Sequence, residues 1–214
     1  MKSADLKSHV RRLPALLLTP RENHCMSHRI RPATSSDLDS AALVLTAAFD
    51  TYPWTRWTLP DDGYAERLEE VQRLYLAHAL DHGIVLVDEQ VRAVAAFLPP
   101  GAPTPTEEIQ HRVVELHGSR LAALSGLSLP DALAGCWTLE TVGVDPAHQG
   151  TGLGTAVTSK GLAMIDQRGG PVALETSDER NVRFYQRLGF IAAVTTTIPG
   201  GPIVYSMNRA GPSQ

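Results

Sequence analysis

Cysteine is scarce in this sequence. Its 214 residues include two cysteines, Cys25 and Cys136, which lie far apart and form no CxxC pair. A structural disulfide and a cysteine-ligated zinc site are therefore disfavoured, and a reducing compartment such as the cytoplasm fits this usage. The eight histidines form neither an H-x-E nor an HExxH spacing, so we expect no metal site.

Long apolar runs and an excess of basic charge are also missing. No stretch approaches the roughly 18 apolar residues of a membrane-spanning helix. Residues 2–18 resemble a signal peptide only superficially, because Pro14 interrupts the apolar block and no cleavage site follows. The formal net charge of −4 argues against a basic surface for nucleic acid. We expect a cytoplasmic monomer or homodimer that contacts neither membrane nor nucleic acid.

The length predicts one substantial domain. The patterned part of the sequence begins just after Met26 and continues almost to the end. We therefore predict a poorly ordered extension over residues 1–27, a single domain over residues 28–210 and a tail over residues 211–214.

Strand and helix patterns alternate within this domain. They predict the order β-α-α-β-β-α-β-α-β-α-β-β, an α/β fold whose mixed sheet needs both kinds of strand pairing. Pro53 is expected to end the first helix and to place the aromatic segment 52–57 on a loop. One helical region is expected over residues 107–124 and another helix over residues 181–188.

Glycine is concentrated at one predicted strand-to-helix junction. The window from Val142 to Val157 reads VGVDPAHQGTGLGTAV and contains four glycines. Glycines adopt positive φ without strain and let ligand oxygens reach backbone N–H groups, while the following helix directs its unpaired N–H groups to the same place. The window therefore predicts a site for a dinucleotide, a nucleoside triphosphate or a coenzyme that carries a diphosphate.

Composition excludes the first two ligands. A dinucleotide fingerprint requires G-x-G-x-x-G, whereas Gly150-Thr-Gly-Leu-Gly154 continues as Thr155-Ala156. A P-loop requires Gly-Lys-Ser/Thr, and no lysine follows the glycines until Lys160. The spacing that fits is V-x-P-x-x-Q-x-x-G-x-G, which is formed by Val144, Pro146, Gln149, Gly152 and Gly154.

A second motif, NVRFYQRLGF, occupies residues 181–190. With both motifs in this order, the sequence resembles the GNAT superfamily of N-acetyltransferases, and the resemblance implies acetyl-CoA as cosubstrate. Asn181 and Tyr185 stand four apart on one helix face, which in this superfamily looks at the coenzyme thiol. The resemblance also implies that the diphosphate is bound by Gln149, Gly150, Thr151, Gly152, Leu153, Gly154 and Thr155.

The resemblance implies a fold and an acceptor as well. The expected fold is a single α/β domain with a mixed, mostly antiparallel sheet, splayed at the coenzyme-binding strand, and with helices on both faces. Tyr52-Pro53, residues 118–122, 141–144 and 174–177 are similar to the puromycin N-acetyltransferases within the superfamily, and this similarity covers roughly residues 31–209. It implies acetylation of puromycin or a related aminonucleoside. An aminoglycoside or an amino acid is the alternative acceptor, and a binding protein that no longer catalyses is the alternative class.

The catalytic roles follow from the same resemblance. Val142 and Val144 would hydrogen-bond the pantetheine arm through their backbone, and Tyr185 would protonate the leaving thiolate. A glutamate within an apolar strand is rarely buried without a partner or a task. Glu140, expected on the same pleat face as Val142 and Val144, and Glu175, on the neighbouring strand, are both candidates for the general base.

Three aromatic residues are candidates for the acceptor site. Tyr52, Trp54 and Trp57 could stack on an aromatic acceptor or plug the end of a helix. Thr151 stands where the superfamily pattern has a basic residue, which removes one expected contact to phosphate. Trp54 and Glu140 also differ from what we expect of the puromycin enzymes, so they leave the identity of the acceptor open.

Overall fold

A computed structural model describes residues 28–125, 127, 129–130 and 134–212. The predicted extension and the last two residues of the predicted tail lie outside this part of the chain. Seven strands and seven helices form within it: β1 Ile30–Pro32, α1 Leu38–Phe49, α2 Pro53–Thr58, α3 Tyr64–His82, β2 Ile84–Asp88, β3 Ala93–Leu98, α4 Glu107–His117, α5 Leu121–Ser125, β4 Trp137–Val144, α6 Leu153–Asp166, β5 Val172–Thr176, α7 Glu179–Arg187, β6 Ile191–Thr197 and β7 Ile203–Arg209.

The aromatic segment after α1 is helical, so the prediction of a loop was wrong. Pro53 is the first residue of α2 rather than a breaker. Proline is well suited to this position because its fixed φ is helical and its missing N–H would have no partner there. Trp54 and Trp57 are therefore about one helical turn apart, and Tyr52 is the N-cap residue of α2.

Two further helix boundaries differ from the predicted ones. The region 107–124 is divided after α4, where Gly118 has φ +46° and a short 3₁₀ turn leads into α5. Helix α7 starts at Glu179, two residues early, because the Asp178 carboxylate accepts the backbone N–H of Arg180 and caps the helix.

The strands form one open sheet in the order β1-β2-β3-β4-β5-β7-β6. Every neighbouring pair is antiparallel except β4 and β5, which are parallel. The parallel pairing is limited to Trp137 with Val172 and Thr138 with Ala173. Beyond these pairs the two strands separate, which confirms the expected mixed and splayed sheet.

Helices cover both faces of the sheet, as expected. Helices α6 and α7 enclose one core with Phe97 at its centre, whereas α1 and α3 enclose a second core on the opposite face. The aromatic ring of Phe97 fills the space that a Cβ atom at Gly161 of α6 would need. A Cβ atom at Gly143 would lie 2.6 Å from a methyl carbon of Leu45 in α1. The two glycines thus let α6 and α1 lie directly against the strands that form the site.

Within the described residues, no helix is both long and apolar enough to cross a lipid bilayer.

Candidate active site

A cavity of about 880 Å³ opens where β4 and β5 separate. Its walls include Tyr75 of α3 on one face of the sheet and both Asn181 and Tyr185 of α7 on the other. The opening therefore passes between the strands, and a ligand on one face can meet a ligand on the other. Helices α4 and α5 supply part of the outer wall.

The edge of β4 that faces this opening is not paired with β5 beyond Thr138. The N–H of Asp145 donates to the carbonyl of Arg92 at 2.8 Å, which directs Asp145 and, by alternation, Gly143 toward β3. The backbone groups of Val142 and Val144 consequently point to the free edge. This direction of the Val144 carbonyl is confirmed by its hydrogen bond from the side-chain amide of Gln149, at 3.2 Å. Gln149 thus connects the glycine segment to β4.

The glycine segment forms the uncapped start of α6. Gly150 and Gly152 have φ of +77° and +91°, and Gly152 is the N-cap residue without a side chain to bond the first turn. The first N–H groups of a helix have no partner within it. A Cβ atom at Gly154 would lie 3.3 Å from Val144, so this donor-rich turn lies against the end of β4. The geometry suits a phosphate-bearing ligand that continues along the strand edge.

Tyr185 is a buried wall residue of the cavity. Its ring makes edge contacts with Phe184 and Phe190, at centroid distances of 5.0 and 5.7 Å. Burial, and next the neighbouring Tyr52, raise the pKa of Tyr185 well above its usual value. Its hydroxyl therefore keeps its proton throughout the neutral range. Asn181, one turn earlier in α7, lines the same cavity.

Glu140 does not share a face with Val142 and Val144, which corrects the sequence-based expectation. Phe97 of β3 pairs with Leu139 and Ala96 pairs with Thr141, so Glu140 is the extra residue of a bulge. The bulge reverses the alternation. The two valines pack against the core under α6. On the opposite face, burial and next the carboxylate of Glu140 raise the pKa of Tyr75 in α3.

Two carboxylates meet in the cavity. Partial burial in the cavity wall raises the pKa of Glu140, and the charge of Glu175 raises it further. Burial also raises the pKa of Glu175, against the effect of Ser206, whose hydroxyl donates to this carboxylate at 3.3 Å. A carboxylate with a raised pKa is a stronger base, which suits proton abstraction.

The three candidate aromatic residues have different surroundings. The hydroxyl of Tyr52 accepts a hydrogen bond from the N–H of Ser177 at 2.7 Å and lies 3.0 Å from the hydroxyl of Thr176. These contacts connect the start of α2 to the end of β5. Tyr52 and Trp54 line the cavity. Trp57 does not. It packs against the β6–β7 turn, where a Cβ atom at Gly201 would lie 2.8 Å from its ring.

The described part of the cavity wall is acidic. Glu140, Glu175 and His117 are its ionisable side chains apart from tyrosines, and no lysine or arginine is present among the described lining residues. Within the same described residues, no three histidine, cysteine or acidic side chains are grouped as a metal would require.

The chain matches the model of a known family. A model of the family described as "Acetyltransferase (GNAT) family" matches residues 49–190. This range is about two thirds of the chain and contains both the glycine segment and α7.

Solved structures agree with this match at the level of the fold. The "histone acetyltransferase HPA2 and related acetyltransferase" from Corynebacterium glutamicum superposes with a TM-score of 0.72, at 23% identity over 88% of this chain and 99% of that one. A GNAT family acetyltransferase from Brucella melitensis, solved in complex with acetyl-CoA, gives a TM-score of 0.50 at 24% identity, over 87% of this chain and 90% of that one.

A curated relative matches a shorter segment. The mycothiol acetyltransferase of Thermobispora bispora is 50% identical over 52 residues, which make up 23% of this chain and 18% of that protein. The matched segment thus spans less than a fifth of the relative.

Proposed function

This chain belongs to the acetyltransferase (GNAT) family, and we propose that it transfers the acetyl group of acetyl-CoA to the amine of a small molecule. The observation that carries the proposal is the gap between β4 and β5, which has a donor-rich glycine turn at the end of β4 and a cavity lined by Tyr185, Glu140 and Glu175. The fold match to a Brucella melitensis protein solved with acetyl-CoA supports the choice of coenzyme.

The coenzyme would be held by backbone groups. The N–H groups from Gly150 to Thr155 would bind the diphosphate, and Val142 and Val144 would pair with the pantetheine arm along the free edge of β4. A hydrogen bond to a charged group contributes about 1.5–3 kcal/mol, whereas the helix dipole contributes roughly 0.3–1. Several N–H groups together therefore outweigh the dipole, and a missing basic side chain at Thr151 is tolerable.

The side chains of the cavity would complete the transfer. Acetyl-CoA supplies the thioester-activated acetyl group. Glu140 accepts the proton of the attacking amine as the N–C bond forms, and Tyr185 donates its hydroxyl proton to sulfur as the C–S bond breaks. We assign the role of base to Glu140 because the Glu175 carboxylate already accepts a hydrogen bond from the hydroxyl of Ser206. The charge of Glu175 in turn raises the pKa of Glu140 and makes it a stronger base.

The cavity favours an apolar amine without an anionic group. A free carboxylate or phosphate on the acceptor would lie near Glu140 and Glu175, and the described wall has no lysine or arginine to neutralise it. Burying an unpaired charge is costly. We therefore propose puromycin or a related aminonucleoside, which presents an aminoacyl amine and aromatic rings. An aminoglycoside ranks second, and a free amino acid ranks last.

A panel of amines tests this proposal. Purified protein with acetyl-CoA should release coenzyme A, detected with a thiol reagent, fastest with puromycin. The panel should include an aminoglycoside, a free amino acid, the methyl ester of that amino acid and an acceptor of the mycothiol acetyltransferases. Release no faster than background with every amine would overturn the proposed activity. A free amino acid preferred over its ester would overturn only the acceptor class.

The two glutamates should respond differently to replacement. Glu140→Gln should lower kcat/KM about 100-fold, because a positioned general base contributes about 10²–10⁴. Glu175→Gln removes the charge that raises the pKa of Glu140, so that pKa should fall. The acidic limb of the pH profile of kcat/KM should then move to lower pH. An acidic limb that stays in place in Glu175→Gln would contradict this coupling.

Trp54 and Trp57 form a matched pair on α2. Trp54→Ala should raise the KM for the acceptor about tenfold, since stacking and burial of an aromatic ring contribute about 1.5 kcal/mol or more. Trp57→Ala should leave that KM within about twofold but lower the free energy of unfolding by about 1–3 kcal/mol. Steady-state kinetics and urea unfolding of both variants check this. An unchanged KM for the acceptor in Trp54→Ala would mean that Trp54 does not contact the acceptor.

A further inference from the structure

His28 contacts the glycine turn from outside the motif. Its Nε2 lies 2.8 Å from the backbone carbonyl oxygen of Thr151, a residue 123 positions later in the chain. The same ring nitrogen is the atom nearest to the place that a Cβ of Gly152 would take, at 3.6 Å. The segment before β1 thus places an imidazole directly on the turn that starts α6.

This contact has a consequence for the neighbouring N–H group. In a trans peptide unit the carbonyl and the N–H point in opposite directions, and the described chain contains no cis peptide bond. When the carbonyl of Thr151 accepts a hydrogen bond from His28, the N–H of Gly152 must point to the other side. The orientation of one donor of the turn is therefore coupled to His28.

The peptide unit between Thr151 and Gly152 needs such an anchor. The φ of Gly152 can take either sign at little cost, so rotation of this unit is weakly opposed by the backbone. The hydroxyl of Thr151 donates to the carbonyl of His148 at 2.7 Å, but this bond fixes the side chain and not the peptide that follows. The hydrogen bond to His28 is the described contact that acts on the Thr151 carbonyl itself.

We propose that His28 is a positioning residue for the diphosphate of the coenzyme. Its Nε2–H donates to the Thr151 carbonyl and thereby keeps the N–H of Gly152 directed into the anion site, while His28 itself touches no substrate. The inference rests on the proposed function, because it assumes that this turn binds coenzyme A. It adds a residue of the N-terminal segment to a site built from residues 142–155.

Calorimetric titration with coenzyme A tests this role without any reaction. His28→Ala should bind coenzyme A about tenfold more weakly than wild type, because a misdirected N–H is lost from the site. His28→Phe, which keeps a ring but has no donor, should behave alike. His28→Gln, whose side-chain amide can place a donor near the original Nε2, should recover most of the affinity. Thermal melting verifies that each variant is folded.

A fragment of the coenzyme distinguishes a positioning role of His28 from a general disturbance of the protein. Acetyl-pantetheine lacks the diphosphate, so kcat/KM with this donor should be the same in wild type and in all three variants. Equal affinity of wild type and His28→Ala for coenzyme A would overturn the inference, as would an equal loss with acetyl-pantetheine. A wild-type protein that does not bind coenzyme A would instead overturn the proposed function, and the inference with it.

Discussion

Replacing Tyr185 with phenylalanine should lower kcat at least about 100-fold, since a positioned general acid contributes about 10²–10⁴. The ring of Tyr185 is packed between Phe184 and Phe190, so a phenylalanine of nearly the same volume fits the site. Its raised pKa means that the hydroxyl still carries its proton at neutral pH. The substitution removes that proton and little else.

The affinity for coenzyme A should stay within about threefold of wild type in this variant, because the proposed diphosphate site consists of backbone N–H groups at the start of α6 and the Tyr185 hydroxyl is not one of them. Steady-state kinetics with the best amine of the panel and calorimetry with coenzyme A measure the two effects. Tyr205→Phe is the matched control. Its hydroxyl is 3.3 Å from Glu179 on the surface, and kcat should not change. Unchanged kcat in Tyr185→Phe would remove Tyr185 from the mechanism.

The coenzyme side of the fold could be predicted because its signals are local. A strand, a glycine turn and a helix follow one another between Trp137 and Asp166, and each has its own pattern. Glycines at positions 150 and 152 indicated positive φ, which both residues adopt. The splayed sheet was expected from the family resemblance and not from any periodicity.

The acceptor side could not be predicted in the same way. A strand pattern assumes strict alternation, and the bulge at Glu140 breaks it without a glycine or proline to mark the position. Trp54 and Trp57 have the same side chain, three positions apart. Trp57 packs against the turn at Gly201, which is far away in sequence, and no local pattern indicates this contact.

The role proposed for His28 could not be predicted from the sequence. No motif surrounds this residue, and its hydrogen-bond partner Thr151 is more than half the chain length away. Contacts of this kind depend on tertiary packing, here on the position of the segment that leads into β1 beside the start of α6. A search for motifs therefore finds the turn but not the residue that orients it.

The central claim is that backbone donors at the start of α6 bind the diphosphate of coenzyme A. Replacing Gly152 with leucine should weaken binding of coenzyme A at least about 100-fold. Holding a residue with a side chain at φ +91° costs roughly 1–2 kcal/mol, and two misdirected donors remove about 1.5–3 kcal/mol each.

Gly101→Leu provides the control for this titration. Gly101 also has a positive φ, +76°, and has open space around its missing Cβ, but it lies in the connection between β3 and α4. The measurement is a calorimetric titration of wild type and both variants with coenzyme A. Our account predicts tight binding by wild type and Gly101→Leu and little or none by Gly152→Leu. Binding of equal strength by all three proteins would contradict it.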